Sequence, residues 1–258
     1  MKLNIPREFN LTDHFLSQYR DRVPNWGPLG YITFKRTYAR PLPEGGTEEW
    51  WQTCQRVVEG CYNVQKWWCT NPTLNLPWSN KKAQRSAQRM YDLIFNFKFT
   101  PPGRGLWMMG TDYMYERGGG GLLNCAFVST KDIKTDFAAP FTFLMDFSML
   151  GCGVGGDCRG KGTVTIKEPK FDDDEPHIVT DDREGWVEIV ERVLNAYVGK
   201  STMPTVIDYS LVRKAGEPIK TFGGTSAGPE PLMSLVASIR SILDAQIGEL
   251  ISSTTIAD

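Results

Sequence analysis

The sequence predicts an α/β protein in which a mainly helical N-terminal region is followed by helices that alternate with short apolar strands. Apolar residues recur every three or four positions over residues 50–68, which is the period of a helix. Further along, short apolar runs such as LLNCAFVST (122–130) and MPTVIDYS (203–210) alternate with helical stretches. Strands that are separated by helices pair in a parallel or mixed sheet. The 258 residues suffice for one large domain or two modest domains.

The composition is that of an ordinary soluble globular protein, with 41% hydrophobic and 23% charged residues. A formal net charge of −1 gives no electrostatic reason to expect nucleic acid or an anionic membrane as a partner. No apolar run approaches the roughly 20 residues of a membrane span. The first residues, MKLNIPREFNLTDHF, lack the apolar core of a secretory signal. We therefore expect a cytoplasmic protein.

Cysteine and histidine usage argues against several kinds of site. In the cytoplasm most thiols stay reduced, so a structural disulfide framework is not expected. No cysteine pair forms a CxxC motif, and neither His14 nor His177 lies near a cysteine in the sequence. A Cys/His zinc site, a serine triad and a cysteine–histidine nucleophile are therefore not predicted. The six cysteines are Cys54, Cys61, Cys69, Cys125, Cys152 and Cys158.

The first hundred residues predict two long helices. One apolar face is formed by Trp50, Cys54, Val57, Cys61, Val64 and Trp68. The cysteines on that face are interpreted as small buried hydrophobic residues. The second helix is expected over 80–97, with Ser79 or Asn80 as its cap and Ala83, Ala87, Met90, Tyr91 and Ile94 facing inward. Before these helices, the aromatic run YITFKRTYAR (31–40) favours a strand.

The remaining segments each carry a local signal. TPPGRGLWMMGT (100–111) is expected to be irregular because of its prolines and glycines, and GGGG (118–121) to be a flexible joint. LLNCAFVST is expected to be a buried strand with Cys125 at its centre. After it we expect a helix over 136–150, a strand in TVTIKEP (163–169) and a solvated loop in FDDDEPH (171–177). The next helix is expected to be capped by Asp181 or Asp182, and its inner face carries Trp186, Ile189, Val190, Val193 and Tyr197. A strand in MPTVIDYS, a long loop over 213–231 and a final helix over 231–250 complete the predicted order.

The glycine-rich stretch MLGCGVGGDCRGKG (149–162) matches neither standard nucleotide-binding motif. A P-loop needs Lys followed by Ser or Thr after its last glycine, whereas Asp157 follows Gly156 here. The dinucleotide fingerprint needs a strand before the glycines and a helix after them, and the predicted order is the reverse. The glycines then allow backbone to approach something closely, either a planar base or sugar or a neighbouring strand. A disulfide between Cys152 and Cys158 is geometrically possible but has no support beyond their proximity.

Five segments in a fixed order give the chain a specific resemblance. They are GRGLWMMGTDY, LLNCAFVST, MLGCGVGG, RKAGEPIKTFGGTSAGPEPL and the helix that follows. Together they resemble the N-terminal part of a ribonucleotide reductase large chain, most similar to the monomeric, adenosylcobalamin-dependent (class II) ribonucleoside-triphosphate reductases. The resemblance covers essentially all 258 residues. It implies the first half of a ten-stranded α/β barrel, with a helical region at 1–100, the start of the barrel at 101–156, an α/β insertion domain at 157–211 and a barrel continuation at 212–258.

The resemblance also implies roles for individual residues. Cys125 matches the family's N-terminal redox-active thiol, one of two that supply electrons to the ribose and end as a disulfide. The substrate pocket would be lined by Met109, Gly110, Asn124, Gly153, Val154 and Gly155. A deoxynucleotide effector would contact Asp132, Arg213 and Lys214. Cys152 stands where the family often has glycine and is left out of the mechanism. No metal ligand is implied in this chain.

The activity implied by the resemblance is reduction of ribonucleoside triphosphates to deoxyribonucleotides for DNA synthesis, through a thiyl radical, with adenosylcobalamin as cofactor and a thioredoxin-type dithiol as reductant. The family's thiyl-radical cysteine, second redox cysteine, catalytic glutamate and asparagine, and most cobalamin contacts lie beyond the position that matches Asp258. We therefore expect this chain to be inactive without a complementing C-terminal half. The end at Asp258 suggests a split gene, an interruption by an intein or intron, or a cut chain. A non-catalytic nucleotide-binding module and a gene remnant are the alternatives.

Overall fold

The structure, a computed structural model, describes residues 4–172, 176–219 and 224–258. The chain divides into two units, which meet between Leu123 and Asn124. One buried hydrophobic core lies within 9–106 of the first unit, and another lies within 133–256 of the second. The N-terminal helical region and the following α/β region were therefore predicted in the right order. The division into four parts stays a prediction.

The first unit is helical. Its α-helices are α1 (Asp13–Leu16), α2 (Gly27–Thr33), α3 (Trp50–Thr70), α4 (Asn80–Phe95), α5 (Gly103–Met108) and α6 (Asp112–Arg117), with a π-helix at Phe34–Tyr38 and a 3-10 helix at Gly119–Leu122. The longest two, α3 and α4, pack against each other. The Trp50 side chain donates a hydrogen bond to the carbonyl of Phe95 (3.1 Å), which joins the start of α3 to the end of α4.

Helix α3 begins where the sequence predicts, but its buried face is shorter than predicted. A capping box between Glu49 and Gln52 pairs the free backbone groups of its first turn. Cys54 and Val57 are buried as expected, whereas Trp68 is 55% exposed. No residue of α3 after Asn63 is buried. The periodic pattern continues along the helix, but the core covers only its first four turns.

Helix α4 confirms its prediction closely. The Ser79 hydroxyl accepts a hydrogen bond from the backbone N–H of Lys82, as an N-cap does. Its predicted inner face is buried at Ala83, Ala87, Tyr91 and Ile94, while Met90 is half-buried. The helix ends two residues earlier than predicted. Phe97 takes a φ of 54°, a left-handed conformation that stops a helix.

Three segments of the first unit were predicted wrongly. The aromatic run 31–40 is helical over 31–38. Phe34 is buried against Trp50, with their ring centroids 5.3 Å apart, and this packing outweighs the strand preference. The segment 100–111 contains α5. Its two prolines directly precede the helix, where a missing N–H costs no hydrogen bond. Of the glycines at 118–121, the last three lie in the 3-10 helix Gly119–Leu122 rather than in a free joint, and Gly118 precedes that helix.

The second unit is a mixture of helices and small parallel sheets. Strands β1 (Cys125–Val128) and β2 (Gly153–Gly156) pair with each other, β3 (Phe171–Asp172) pairs with β5 (Met203–Pro204), and β4 (His177–Ile178) pairs with β6 (Ile207–Asp208). The helices are α7 (Ala139–Met149), α8 (Arg183–Ala196), α9 (Glu230–Asp244) and α10 (Ser253–Ala257). Within the three described ranges the strands pair two by two. The half-barrel therefore stays a prediction.

Most predicted elements of this unit are present. Helices α7 and α8 are present where predicted, and α9 runs over Glu230–Asp244 instead of the predicted 231–250. The Asp182 carboxylate caps α8 by accepting a hydrogen bond from the N–H of Gly185 (2.8 Å). The inner face of α8 is buried at Ile189, Val190, Val193 and Tyr197, with Trp186 packed at its edge. Segment 203–210 contains two short strands. The predicted loop is irregular over 213–219 and 224–229, and residues 220–223 lie outside the described residues.

Three expectations for the second unit need correction. The strand at Cys125 is exposed rather than buried, with Phe127 63% exposed, because one face of the pair is uncovered within this unit. The predicted strand 163–169 makes only a single bridge, between Thr165 and Leu250. The expected loop FDDDEPH contributes to strands at both ends, in β3 and β4. Its residues 173–175 lie outside the described residues.

Candidate functional site

The pair of strands β1 and β2 places the predicted thiol beside bare backbone. In the parallel register Cys125 lies next to Gly153 and Phe127 lies next to Gly155. The N–H of Gly153 donates to the carbonyl of Asn124 (2.9 Å), which fixes the start of the pairing. Exposed and half-buried residues alternate along β1, while α7 packs against both strands. The exposed face therefore presents the Cys125 thiol next to a position without a side chain.

The chain itself does not require glycine at this face. A Cβ at Gly153 would come no closer than 3.8 Å to the Asn124 carbonyl, and one at Gly155 would lie 3.6 Å from the Phe127 ring. Both are ordinary van der Waals distances. By contrast, Gly160 cannot carry a Cβ without colliding with the Thr130 carbonyl. Close packing against the turn at Thr130–Ile133 thus explains Gly160, whereas no close neighbour within the chain explains Gly153 and Gly155. Their missing side chains leave a flat surface that a planar ligand can contact.

Asp157 joins the far ends of the two strands. Its carboxylate accepts hydrogen bonds from the Thr130 N–H (2.9 Å), the Ser129 hydroxyl (2.8 Å) and the Arg159 N–H (3.2 Å). Desolvation alone would raise its pKa, but these hydrogen bonds stabilise the anion and lower the pKa to about 2. Polar residues follow both strands directly, and this pattern is a usable signal that sequence reasoning missed. Asp157 stays ionised at neutral pH and holds β1 and β2 in register.

The two cysteines of the glycine-rich stretch lie in different surroundings. Cys152 is 5% exposed, and the one polar contact of its thiol among the described residues is with the Gly153 carbonyl (3.8 Å). Cys158 is half-buried and packs against the core of the second unit. All six cysteines fall within the described residues and all are free thiols, and among them Cys125 alone is exposed. The structure therefore contains no disulfide between Cys152 and Cys158.

Met109 and Gly110 belong to the first unit, where their conformation is set by α3. The Arg56 guanidinium donates hydrogen bonds to the carbonyls of Leu106 (2.8 Å) and Met109 (2.5 Å). Gly110 has a φ of 76°, and a Cβ there would collide with the Arg56 carbonyl. Arg56 also pairs with the buried Glu48 (2.6 Å). Sequence reasoning missed this buried ion pair, because neither residue belongs to a motif. Packing against α3 thus accounts for the conformation of Met109 and Gly110, and the role of these two residues in substrate binding stays a prediction.

The residues predicted to bind an effector differ in how they are engaged. Asp132 is exposed in a turn, and its carboxylate has no hydrogen-bond or ion-pair partner among the described residues. Arg213 is already used within the chain, since its Nε donates to the Asp181 carboxylate (2.8 Å) and its guanidinium reaches the Pro218 carbonyl (3.1 Å). Lys214 is exposed. Asp132 and Lys214 are therefore available to a ligand, whereas Arg213 would first have to give up these contacts.

A cavity of about 260 Å³ has Ile133, the sequence neighbour of Asp132, as its first lining residue. Its lining combines three lysines with apolar residues and consists of Ile133, Lys134, Phe137, Thr163, Val164, Thr165, Lys167, Val198 and Lys200. No carboxylate contributes to this lining, so the cavity favours an anion that carries an apolar or planar group. Sequence reasoning did not find it, since its lysines lie 33 residues apart at positions 134, 167 and 200 and match no motif.

Other kinds of site find no support in the described residues. None of their His, Cys, Asp and Glu side chains form a group of three that could hold a metal ion. No helix in the described part of the chain is long and apolar enough to cross a bilayer. The described cavity is smaller than the roughly 300–1,000 Å³ typical of sites for drug-sized ligands, and so is too small for a corrinoid. These residues alone do not fit adenosylcobalamin.

Comparisons with known proteins converge on one family. Residues 11–111 match the model of the ribonucleotide reductase alpha domain, and residues 159–243 match that of the insertion domain of B12-dependent ribonucleotide reductase. The predicted insertion at 157–211 falls largely within the second match.

Named relatives agree with both matches. The chain is 44% identical to the "Probable adenosylcobalamin-dependent ribonucleoside-triphosphate reductase" of Dictyostelium discoideum, over 98% of this chain and 35% of that protein. It is 44% identical to the adenosylcobalamin-dependent ribonucleoside-triphosphate reductase of Euglena gracilis (97% and 35%) and 31% identical to that of Lactobacillus leichmannii (97% and 41%).

The fold agrees as well. A crystal structure of a B12-dependent (class II) ribonucleotide reductase superposes with a TM-score of 0.76 at 29% identity, over 97% of this chain and 42% of that one. The chain thus spans between 35% and 42% of the length of these proteins. On both domain matches and the shared fold, the chain belongs to the B12-dependent (class II) ribonucleotide reductases.

Proposed function

We propose that this chain forms the N-terminal part of a ribonucleoside-triphosphate reductase and that the exposed face of β1 and β2 is its substrate side. The observation that carries the proposal is the exposed Cys125 thiol beside the unsubstituted backbone of Gly153. A thiol that reduces a sugar must be reachable, and a flat neighbouring surface lets the ring lie close to it. Both conditions are met at this face and not at the other five cysteines.

The chain's own residues would act by position and by electron supply. Reduction of one ribonucleotide replaces its 2′-hydroxyl by hydrogen, releases one water and oxidises two thiols to a disulfide. Cys125 supplies one of those thiols, and its partner lies outside this chain. Asn124 and Gly153 fix the start of the strand pair, while Asp157 holds its far end. The remaining predicted contacts of the substrate, from Met109, Gly110, Val154 and Gly155, belong to the same proposal.

The lysine-lined cavity is proposed to bind the phosphates of a deoxynucleotide effector. Its ammonium groups come from Lys134, Lys167 and Lys200, and phosphate is the anion that nucleotides offer. Asp132, one residue before the first lining residue, is assigned in this proposal the role of accepting a hydrogen bond from a sugar hydroxyl. Lys214 stays a candidate contact, and Arg213 is a weaker one because Asp181 already holds it.

The rest of the proposed enzyme lies in a complementing segment. That segment would complete the ten-stranded barrel, hold most of the adenosylcobalamin and carry the other reactive groups. The proposal keeps the predicted insertion domain at 157–211, the cytoplasmic location and the thioredoxin-type reductant. The whole enzyme's activity therefore depends on both segments.

Reconstitution tests the catalytic proposal. The chain is coexpressed with the part of the Euglena gracilis enzyme that it does not match, and deoxynucleotide formation is measured with adenosylcobalamin and dithiothreitol. We expect turnover in the mixture, none with either part alone, and loss to background with Cys125→Ser. Cys69→Ser is the matched control and should retain the activity. Turnover by the Cys125→Ser mixture would remove Cys125 from the reaction.

The cavity also favours a second function, that of a nucleotide-binding module without catalysis. Equilibrium dialysis of the chain alone with labelled dATP and dTTP examines it. Binding that weakens at least about tenfold in Lys167→Gln, and not in the exposed Lys98→Gln control, supports the cavity in either function. Binding without activity in any reconstituted mixture would favour the module over the reductase.

A further inference from the structure

One guanidinium connects three strands of the second unit. Arg192 lies on α8, and its Nε donates to the Thr202 carbonyl (3.2 Å), just before β5. One terminal nitrogen contacts the Nδ1 of His177 in β4 (3.2 Å), and the other donates to the Asp172 carboxylate in β3 (3.3 Å). Asp172 also accepts from the Thr202 hydroxyl (3.1 Å). We call Asp172, His177, Arg192 and Thr202 the Arg192 cluster. It joins the two smaller sheets, which share no strand.

The contact with His177 fixes the protonation state of that side chain. A guanidinium has only donors, so the Nδ1 that faces Arg192 must offer its lone pair. His177 is therefore neutral, with its proton on Nε2, whenever this hydrogen bond exists. A protonated imidazole would present an N–H to an N–H and one positive charge to another. The hydrogen bond and the charged imidazole exclude each other.

The surroundings of His177 reinforce the neutral form. Burial of the ring is the largest influence, and the Arg192 charge is the next, and both lower the pKa of His177. Glu188, one turn earlier on α8, opposes them without reversing the direction. Asp172 acts on the far side of the same guanidinium. From β6 the neighbour in register is the uncharged Ile207. These are the charged and titratable groups that face His177 within the described residues.

We propose that His177 is a proton-sensitive contact that controls pairing of β4 with β6. When the imidazole takes a proton, Arg192 loses its acceptor and is repelled, and β4 loses its tie to α8. The strand has two residues, and the flanking backbone hydrogen bonds are few, from His177 to Val206 (2.9 Å) and from Val179 to Asp208 (2.9 Å). Because so few backbone hydrogen bonds join β4 to β6, the stability of this strand pair depends on side-chain contacts such as the one between His177 and Arg192. The proposal concerns stability of the insertion region and does not require reductase activity.

The direction of the pH effect follows from proton binding. Once β4 is released, His177 has an ordinary pKa of about 6.5 and takes up a proton that the paired form binds less readily. The opened form therefore gains population as the pH falls below about 6.5. Its population rises by up to about tenfold per pH unit until the lowered pKa of the paired form is reached. Above about pH 7 the contact is complete and the effect is absent.

Two measurements on the 258-residue chain test this. The pKa of His177 is read from its Cε1–H resonance between pH 4.5 and 8, and the exchange of the His177 and Val179 amides is followed over pH 5.5–7.5. Exchange rates are corrected for their intrinsic pH dependence. We expect a His177 pKa below 6.5 and a loss of amide protection at low pH. The Gly153 amide, in the separate β1–β2 pair, is the internal reference and should keep its protection.

Matched variants test whether His177 is the group that causes the pH dependence of amide protection. His177→Asn keeps an acceptor near the position of Nδ1 but does not titrate, so protection of Val179 should become independent of pH. The chain's other histidine, His14, lies in the first unit, and His14→Asn should retain the wild-type pH dependence. A His177 pKa of 6.5 or above, or protection that does not change between pH 7.5 and 5.5, would overturn the proposal. The wild-type titration gives that decision even where His177→Asn does not fold.

Discussion

Replacement of Arg56 by methionine should destabilise the first unit more than any surface substitution. Arg56 is 12% exposed and Glu48 7% exposed at their side chains. Without Arg56, the Glu48 carboxylate keeps, among the described residues, the hydrogen bonds from the Thr53 hydroxyl (2.7 Å) and the Arg40 N–H (3.1 Å). Breaking one side of a buried ion pair costs about 3–5 kcal/mol.

The structure favours the lower end of this range. The Arg40 charge acts on the same carboxylate, as the pKa of Arg40 shows. Burial and the Arg56 charge lower the pKa of Arg40, while the Glu48 carboxylate raises it. With Arg56 gone, Arg40 offsets part of the unpaired charge of Glu48. Two carbonyls, of Leu106 and Met109, also lose a donor, although solvent can reach this region in part. We therefore expect a loss of about 3 kcal/mol, a large share of a typical 5–15 kcal/mol.

Urea unfolding followed by tryptophan fluorescence measures this loss. Seven of the eight tryptophans lie before residue 124, so the signal reports mainly on the first unit. The double variant Glu48→Gln/Arg56→Met removes the unpaired charge and should recover at least about 1 kcal/mol relative to the sum of the single changes. Arg20→Met is the matched control, since its pair with Asp13 is exposed and worth less than about 1 kcal/mol. A single-variant cost below 1 kcal/mol, or strict additivity, would refute the reasoning.

Two further predictions concern the second unit. Gly160→Ala should cost about 1–3 kcal/mol, because its Cβ would collide with the Thr130 carbonyl, whereas Gly153→Ala should stay within about 0.5 kcal/mol of wild type. Equal losses in thermal unfolding would contradict the assignment of Gly153 to an open face. Because the pKa of Asp157 is lowered to about 2, its contribution to stability is complete above about pH 4 and is lost as the pH falls toward 2. Asp157→Asn should lack that part of the acid transition, and an unchanged transition would exclude the role of this carboxylate.

Local signals in the sequence were sufficient where the structure is local. The cap at Ser79 and the inner face that includes Ala87 and Tyr91 were predicted because all the relevant contacts repeat with the helical period. In α5 the same kind of signal misled. Proline and glycine indicate an irregular segment, but prolines also occupy the position before a helix, and only the contacts from Arg56 distinguish the two cases.

The candidate site was predictable in its residues but not in its surroundings. The position of Cys125 on a strand followed from its apolar neighbours, yet its exposure depends on what covers the strand, which the segment itself does not encode. The engagement of Arg213 by Asp181 joins residues 32 positions apart, and no motif marks such a pair. The lysine cavity is likewise assembled from distant segments. The residue types thus predicted which chemical groups the site contains. Which of these groups are exposed, and which are paired with each other, could be seen only in the folded structure.

The parallel pairing of the second unit has a consequence for the order of folding. The three pairs found among its described residues join Cys125 to Gly153, Phe171 to Met203 and His177 to Ile207, which are 28, 32 and 30 residues apart. Each pair must close a loop of about 30 residues before any strand hydrogen bond forms, whereas the helices of the first unit form through local contacts. The N-terminal unit also leaves the ribosome first. Trp186, the one tryptophan of the later unit, should therefore report a slower refolding phase than the other seven.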